Sequence, residues 1–356
     1  MKLRTIATAL VAALPLSSGI ALAQTAKSPP LIRPAAPAAV APPTVTPASR
    51  SRDYGALYVA LGASFSAGPG LPMQKRGVPA RCGQSALSYP TLTAIRFRVS
   101  LHDVSCSGAT TENILRGWNE LPPQIDAITS KTRLVTISAG GNDLGYVGGL
   151  FGATNCGFPP EPTAAIPGAP PKGPTAGKPF TPCPPARQNS EAEFVRVEKN
   201  MREIVARINE RAPQAKIVFV TYLTLVPTTL CRATPIVPAR ADASRALADR
   251  IAQITAKVAS ETGALIARMD EASRTHTPCD VVPWTNGAPP GYNGADGIQW
   301  HPNIAGMQAT AAEITAVLSK PTSAIPVEIK PTEVSRKPQA PKSLAPRRGT
   351  KRAARA

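Results

Sequence analysis

Short, continuous apolar runs alternate along this chain with longer stretches whose apolar positions recur every three to four residues. Ala56–Leu61 (A-L-Y-V-A-L), Val99–Ser105, Leu134–Ser138 (L-V-T-I-S), Lys216–Tyr222 (K-I-V-F-V-T-Y) and Ala264–Met269 have the length and hydrophobicity of buried strands. Between them, Ser88–Phe97 reads as a helix. Ser190–Arg211 carries the stripe Phe194, Val197, Met201, Ile204, Val205 and Ile208, and Ser190 with Glu193 fits a capping box. Pro122–Ser130 reads as a short helix with proline near its start, Ala241–Glu261 as a long helix closed by Gly263, and Ile304–Leu318 as the closing helix. Buried strands alternating with amphipathic helices imply an α/β protein with a parallel sheet of about five strands covered on both faces. In such sheets ligands bind beyond the carboxyl ends of the strands, so the residues just after each strand carry the functional information.

The flanks break this pattern. Lys2 and Arg4 precede an apolar run, Ile6 to Ala23, that ends in Ala21-Leu22-Ala23; the expectation is a cleaved signal peptide over 1–23 and an exported chain, secreted or periplasmic. Forty prolines in 356 residues are about twice the usual share, and they cluster in Pro29–Pro47, Pro159–Pro185 and Pro321–Pro346. Residues 24–54 therefore read as an Ala/Pro-rich linker, 55–320 as the folded domain with a Pro/Gly-rich insertion at 150–188, and 321–356 as a basic, disordered tail. From Lys330 onward nine Lys and Arg face one acid, Glu333, which accounts for +8 of the formal +18. The tail is expected to be a solvated arm, with attachment to an anionic surface as its sharper reading. Only 4% of residues are aromatic, thin for a protein that stacks on bases, so nucleic acid is not expected as a partner.

The six cysteines, Cys82, Cys106, Cys156, Cys183, Cys231 and Cys279, suit disulfides in an exported chain. Six allow 15 pairings, of which pairing in chain order is the simplest. No C-x-x-C occurs, which argues against a zinc knuckle or a thioredoxin-type site.

Four segments beyond the strands and near the C-terminus supply the parts of a serine acyl hydrolase. They are Gly62-Ala63-Ser64-Phe65-Ser66-Ala67-Gly68, Ser105-Cys106-Ser107-Gly108-Ala109-Thr110-Thr111, Ala139-Gly140-Gly141-Asn142-Asp143, and Asp296-Gly297-Ile298-Gln299-Trp300-His301-Pro302-Asn303. They offer a hydroxyl nucleophile, backbone and amide donors for an oxyanion, a base, and a carboxylate to orient it. Each piece alone is a plausible turn; their order, each at an expected strand end, is the signal. Of the three histidines, His102 lies mid-strand, where a structural role fits better, and His276 lies in a loop, which leaves His301 as the base.

In this order and spacing the four segments resemble the SGNH (GDSL-like) lipase/acylhydrolase family over roughly residues 56–318, closest to its secreted bacterial, disulfide-containing branch. The resemblance implies a flavodoxin-like three-layer α/β/α sandwich and hydrolysis of carboxylic esters, fatty-acyl esters foremost, by a monomer that needs neither metal nor cofactor. It implies Ser64 as nucleophile, His301 as general base, and the Ser64 and Gly108 N–H groups with the Asn142 amide as oxyanion hole. It also implies disulfides Cys82–Cys106, Cys156–Cys183 and Cys231–Cys279. Polysaccharide deacetylation or acyl transfer on the same residues is the nearest alternative chemistry. Two departures matter. Ala63 stands where the family has aspartate, which opens the alternative of an inactive binding module. The acid expected three residues before the histidine is replaced by Ile298, so either Asp296 or a backbone carbonyl near Ile298 orients His301. A histidine base places the rising limb of activity at roughly pH 6–7.5.

Overall fold

The computed structural model describes residues 57–158 and 181–320; the expected leader, linker, basic tail and the middle of the Pro/Gly-rich insertion lie outside them. Five strands, β1 (Leu57–Gly62), β2 (Ser100–Asp103), β3 (Thr132–Ser138), β4 (Lys216–Val220) and β5 (Leu265–Ala267), pair in parallel in the order β2-β1-β3-β4-β5. This is the flavodoxin-like order, in which the chain reverses its direction of travel across the sheet between β1 and β3. The central strands are largely apolar and buried because both faces are covered, with exposed Arg133 and Lys216 confined to the starts of β3 and β4. On β1, Tyr58 and Ala60 pack with Ala94 of helix α2 (Tyr89–Phe97), while Val59 and Leu61 join the larger core on the other side. Helix α2 packs against α8 (Ile304–Ser319), and α5 (Glu191–Arg211) packs against α3 (Thr111–Arg116) and α6 (Pro238–Thr262).

The expected elements exist with shifted ends. Edge strand β2 stops at Asp103, because the Asp103 carboxylate accepts from the Ser105 N–H and hydroxyl and turns the chain. Ser190 caps α5, with Glu193 completing the capping box, and Gly263 ends α6 in a left-handed conformation. The helix expected over Pro122–Ser130 is only a 3₁₀ turn, Gln124–Ala127, since two prolines precede it and Ile128 returns to extended backbone. Two short helices escape the pattern: α3, where Thr110 and Asn113 form the capping box, and α4 (Tyr146–Ala153), whose three glycines mask its periodicity and whose end overlaps the expected start of the insertion. The remaining helices are single turns, α1 (Ser64–Ala67) and α7 (Met269–Ala272).

Three disulfides join Cys82 to Cys106, Cys156 to Cys183 and Cys231 to Cys279. The first ties the turn before α2 to the loop after β2, and the second joins two cysteines within the insertion, near its ends. Among the described residues no helix is long and apolar enough to cross a membrane.

Candidate active site

Ser64 opens α1 directly beyond the carboxyl end of β1, at the reversal point of the sheet. The approach to it is tightly determined. Gly62 has φ +139°, and a Cβ there would sit 2.5 Å from the Ser138 carbonyl oxygen and 2.6 Å from Ser66 Oγ, so only glycine fits. The next residue donates its N–H to the Ser138 carbonyl at 3.2 Å. These constraints aim the Ser64 side chain, 8% exposed, at the loop that precedes α8.

That loop carries His301, whose Nε2 lies 2.8 Å from Ser64 Oγ across 237 residues of sequence. Its Nδ1 lies 2.8 Å from the Gln299 carbonyl oxygen, which can only accept; Nδ1 therefore bears the proton and Nε2 is free to accept from the Ser64 hydroxyl. Trp300, wholly buried at φ +57°, makes the sharp reversal that brings the Gln299 carbonyl back to the ring, and Thr154 Oγ1 accepts from its indole N–H at 2.9 Å. Asn286 pins the loop from the side: its N–H donates to the His301 carbonyl, and its own carbonyl accepts from the Trp300 N–H.

Asp296 does not orient the histidine. Its Oδ1 accepts from the Ile304 N–H at 2.9 Å, so the carboxylate caps the first turn of α8, where unpaired N–H groups and the helix dipole favour it. Of the two orienters allowed by the sequence, the backbone carbonyl holds the place, at Gln299. The other two histidines lie away from Ser64. His102 is exposed on β2, and His276 stacks on Trp284 at 3.9 Å with Nδ1 at the Val282 carbonyl.

His301 is 4% exposed, with the Phe65 ring 5.2 Å away and the Phe151 ring 6.4 Å away. Burial disfavours the imidazolium and pushes the His301 pKa down to about 4, against the smaller opposing effect of the Gln299 carbonyl. His301 thus stays neutral at pH values well below the range of 6–7.5 expected for an unperturbed histidine.

Opposite the dyad lie the other two post-strand segments. Gly108 adopts φ +89°, and a Cβ there would lie 3.0 Å from the Trp118 ring. Among the described residues, neither the Ser64 nor the Gly108 N–H has a protein acceptor, while the Cys106 and Ala109 N–H groups on either side of Gly108 are satisfied. The Asn142 amide donates to the carbonyl of Ala109, the residue after Gly108, at 2.9 Å, which leaves its second N–H hydrogen for another acceptor. Asp143 holds the two loops together, accepting from the Thr111 N–H and hydroxyl; burial raises its pKa, and the Thr111 hydrogen bonds oppose this. Buried Asn200 donates to the same Thr111 hydroxyl from α5. Thr111 and Asp143 fall within two of the four segments, but nothing local marks the holding role of these residues. Only their distant partners reveal it.

Ala63 is 1% exposed and packs with Cys82, Cys106 and Ala109, flanked by Trp118 and Leu121. The position that carries the family's acid is here part of a small apolar cluster against a disulfide. Ala63→Asp is therefore expected to cost stability, on the order of 1–3 kcal/mol for a poorly partnered polar group, with turnover raised by no more than about tenfold. Thermal melts and ester kinetics check this; an equally stable variant that turns over about a hundred times faster would mean the site needs an acid there.

A parallel α/β sheet with a buried serine–histidine pair and two unpartnered N–H donors at its reversal point defines an acyl-hydrolase architecture. Residues 60–309 match the GDSL-like lipase/acylhydrolase family; the chain belongs to that family and is a carboxylic ester hydrolase. It is 28% identical over 269 residues to Lipase 2 of Streptomyces coelicolor, an alignment covering 73% of this chain and 85% of that one. It is 27% identical over 234 residues to a lipase of Streptomyces rimosus, covering 64% and 75%. In fold it resembles the phospholipase A1 of Streptomyces albidoflavus (TM-score 0.55, 21% identity, 74% of this chain and 99% of that one). It also resembles the extracellular lipase of Streptomyces rimosus (TM-score 0.54, 23% identity, 74% and 99%).

Proposed function

We propose that this chain is an exported serine esterase or lipase that hydrolyses carboxylic esters, fatty-acyl esters foremost, through Ser64 and His301. His301 Nε2 takes the Ser64 proton as Oγ bonds to the ester carbonyl carbon. The carbonyl oxygen, now negative, is held by the Ser64 and Gly108 N–H groups and the Asn142 amide. Collapse of this intermediate breaks the bond to the alcohol, which leaves with the proton from His301. Water then repeats the sequence on the acyl-enzyme, with His301 as base and then acid, releasing the carboxylic acid and restoring Ser64.

The 2.8 Å contact between His301 Nε2 and Ser64 Oγ, with Nδ1 held by the Gln299 carbonyl, is the observation that carries this reading. A backbone carbonyl does the orienting work of an acid: it fixes the tautomer and stabilises the imidazolium that forms, as the third group of a triad does. The lipase names of its relatives support a lipid-like ester, and the three disulfides support export through a leader at 1–23. We assign the folded domain to 55–320, working as a monomer, with the linker at 24–54 and the basic tail at 321–356 left outside the chemistry; the tail's charge suits an anionic surface.

A series of p-nitrophenyl esters, from acetyl to palmitoyl, tests the substrate class on the mature chain. Medium or long acyl chains are expected to give a kcat/KM at least about tenfold above acetate, the worth of one or two buried methylenes in an apolar site. A preference for acetate would instead favour deacetylation of a glycan on the same residues.

A further inference from the structure

We infer that Gln124 is a positioning residue for the reaction at Ser64, holding by both ends of its amide the glycine from which the nucleophile turn departs. The Gly62 N–H donates to Gln124 Oε1 at 2.8 Å, and Gln124 Nε2 donates to the Gly62 carbonyl at 3.0 Å; all four groups are buried. The strand ladder explains why a side chain is needed there. On this side β1 is paired with β2, but pairing ends at Ala60 and Asp103. The Val104 and Cys106 N–H groups still reach the Ala60 and Gly62 carbonyls, yet the chain turns at Asp103 and offers the Gly62 N–H no acceptor. Gln124 takes the place of the missing rung.

The amide is itself well anchored. Its 3₁₀ turn contains the wholly buried Ile125, and Arg211 at the end of α5 donates to the Ile125 carbonyl and the Asp126 carboxylate. Backbone hydrogen bonds exchanged by Trp118 and Leu121 close the loop that leads into it. The clamp therefore transmits the position of α5 to the residue two before Ser64, where a displacement of about 1 Å is enough to cost roughly a hundredfold in rate. On its other side Gln124 lines a cavity of about 400 Å³ with Trp118, Leu121 and His102. Loss of the amide thus opens onto existing space that water can enter, and the core behind Ile125 stays filled.

This inference rests on the reading of Ser64 as nucleophile. It is tested on the full chain with Gln124→Met, which keeps the bulk without the hydrogen bonds, and Gln124→Glu. The measurements are p-nitrophenyl ester kinetics and the rate of fluorophosphonate attachment to Ser64. Gln124→Met is expected to lower kcat about 10- to 100-fold with KM within about threefold, and to slow labelling by the same factor. Gln124→Glu is expected to lose as much near pH 8 and to recover relative to the natural protein as pH falls towards 5. A protonated carboxyl accepts from the Gly62 N–H and donates to its carbonyl as the amide does, whereas the ionised form repels that carbonyl. Asp126, paired with Arg211, and Asp103, paired with Lys75, line the same cavity with His102; present in both proteins, they cancel in the ratio.

A Met variant that labels and turns over at the natural rate, or a Glu variant whose ratio is flat with pH, overturns the role. A purely structural part would lower the melting temperature and leave the rate per folded molecule alone. Should one variant fail to fold, the other decides. A natural protein that is not labelled at Ser64 removes the reading on which the inference stands, and so is distinguishable from a labelled protein whose variants react equally fast.

Discussion

Replacing Ser64 with alanine is expected to lower kcat on a soluble p-nitrophenyl ester by about 10⁴–10⁶-fold, the scale on which a serine hydrolase loses its nucleophile. No neighbour substitutes for it. Ser66, two residues on, is fully buried and bonded to the Tyr89 hydroxyl at 2.8 Å, and the residues at 63 and 65 carry no nucleophile. The fold should not register the change. Ser64 gives up only its hydroxyl, and the Gly62 clamp, the Ala63 hydrogen bond and the left-handed Gly68 cap of α1 remain. The melting temperature is therefore expected to move by the equivalent of less than about 1 kcal/mol. A variant retaining about a tenth of natural turnover would place the nucleophile elsewhere.

His301→Ala is expected to be nearly as severe, about 10³–10⁶-fold, because nucleophile and base act as a unit and the loss of either removes the function of both. His102→Ala and His276→Ala are expected to stay within about threefold of the natural protein. The argument is geometric: one of these rings is exposed on the edge strand, the other is stacked on Trp284, and only His301 reaches Ser64. Parallel kinetics on the three variants check it, and a large loss at His276 with His301→Ala still active would reverse the assignment.

The five strands and the four segments that follow them were legible because each depends on local chemistry: continuous apolar runs for buried parallel strands, and a serine, glycine, asparagine or histidine placed just beyond them. What the sequence hid depends on contacts between distant segments. Asp296 and a backbone carbonyl near Ile298 were both admissible as partners of His301; the left-handed Trp300 turns the Gln299 carbonyl onto the ring. Nothing near Gln124 marks it as a partner of Gly62, 62 residues away; its local signal, two prolines before a polar residue, suggested a helix start instead. Thr111, Asp143 and Asn200 meet from three segments for the same reason. The depressed pKa of His301 comes from tertiary burial, which no residue pattern around it encodes.

The most direct test of Ser64 activated by His301 is the pH dependence of fluorophosphonate labelling, with the adduct mapped by mass spectrometry. Only neutral His301 accepts the Ser64 proton, and burial holds its pKa near 4, so protonation removes the base only as pH falls through that value. The predicted result is a single adduct on Ser64, formed at a nearly constant rate from about pH 8 down to about pH 5 and slowing below that, and essentially lost in His301→Ala. An adduct on any other residue, or a rate at Ser64 that survives the removal of His301, would contradict the account.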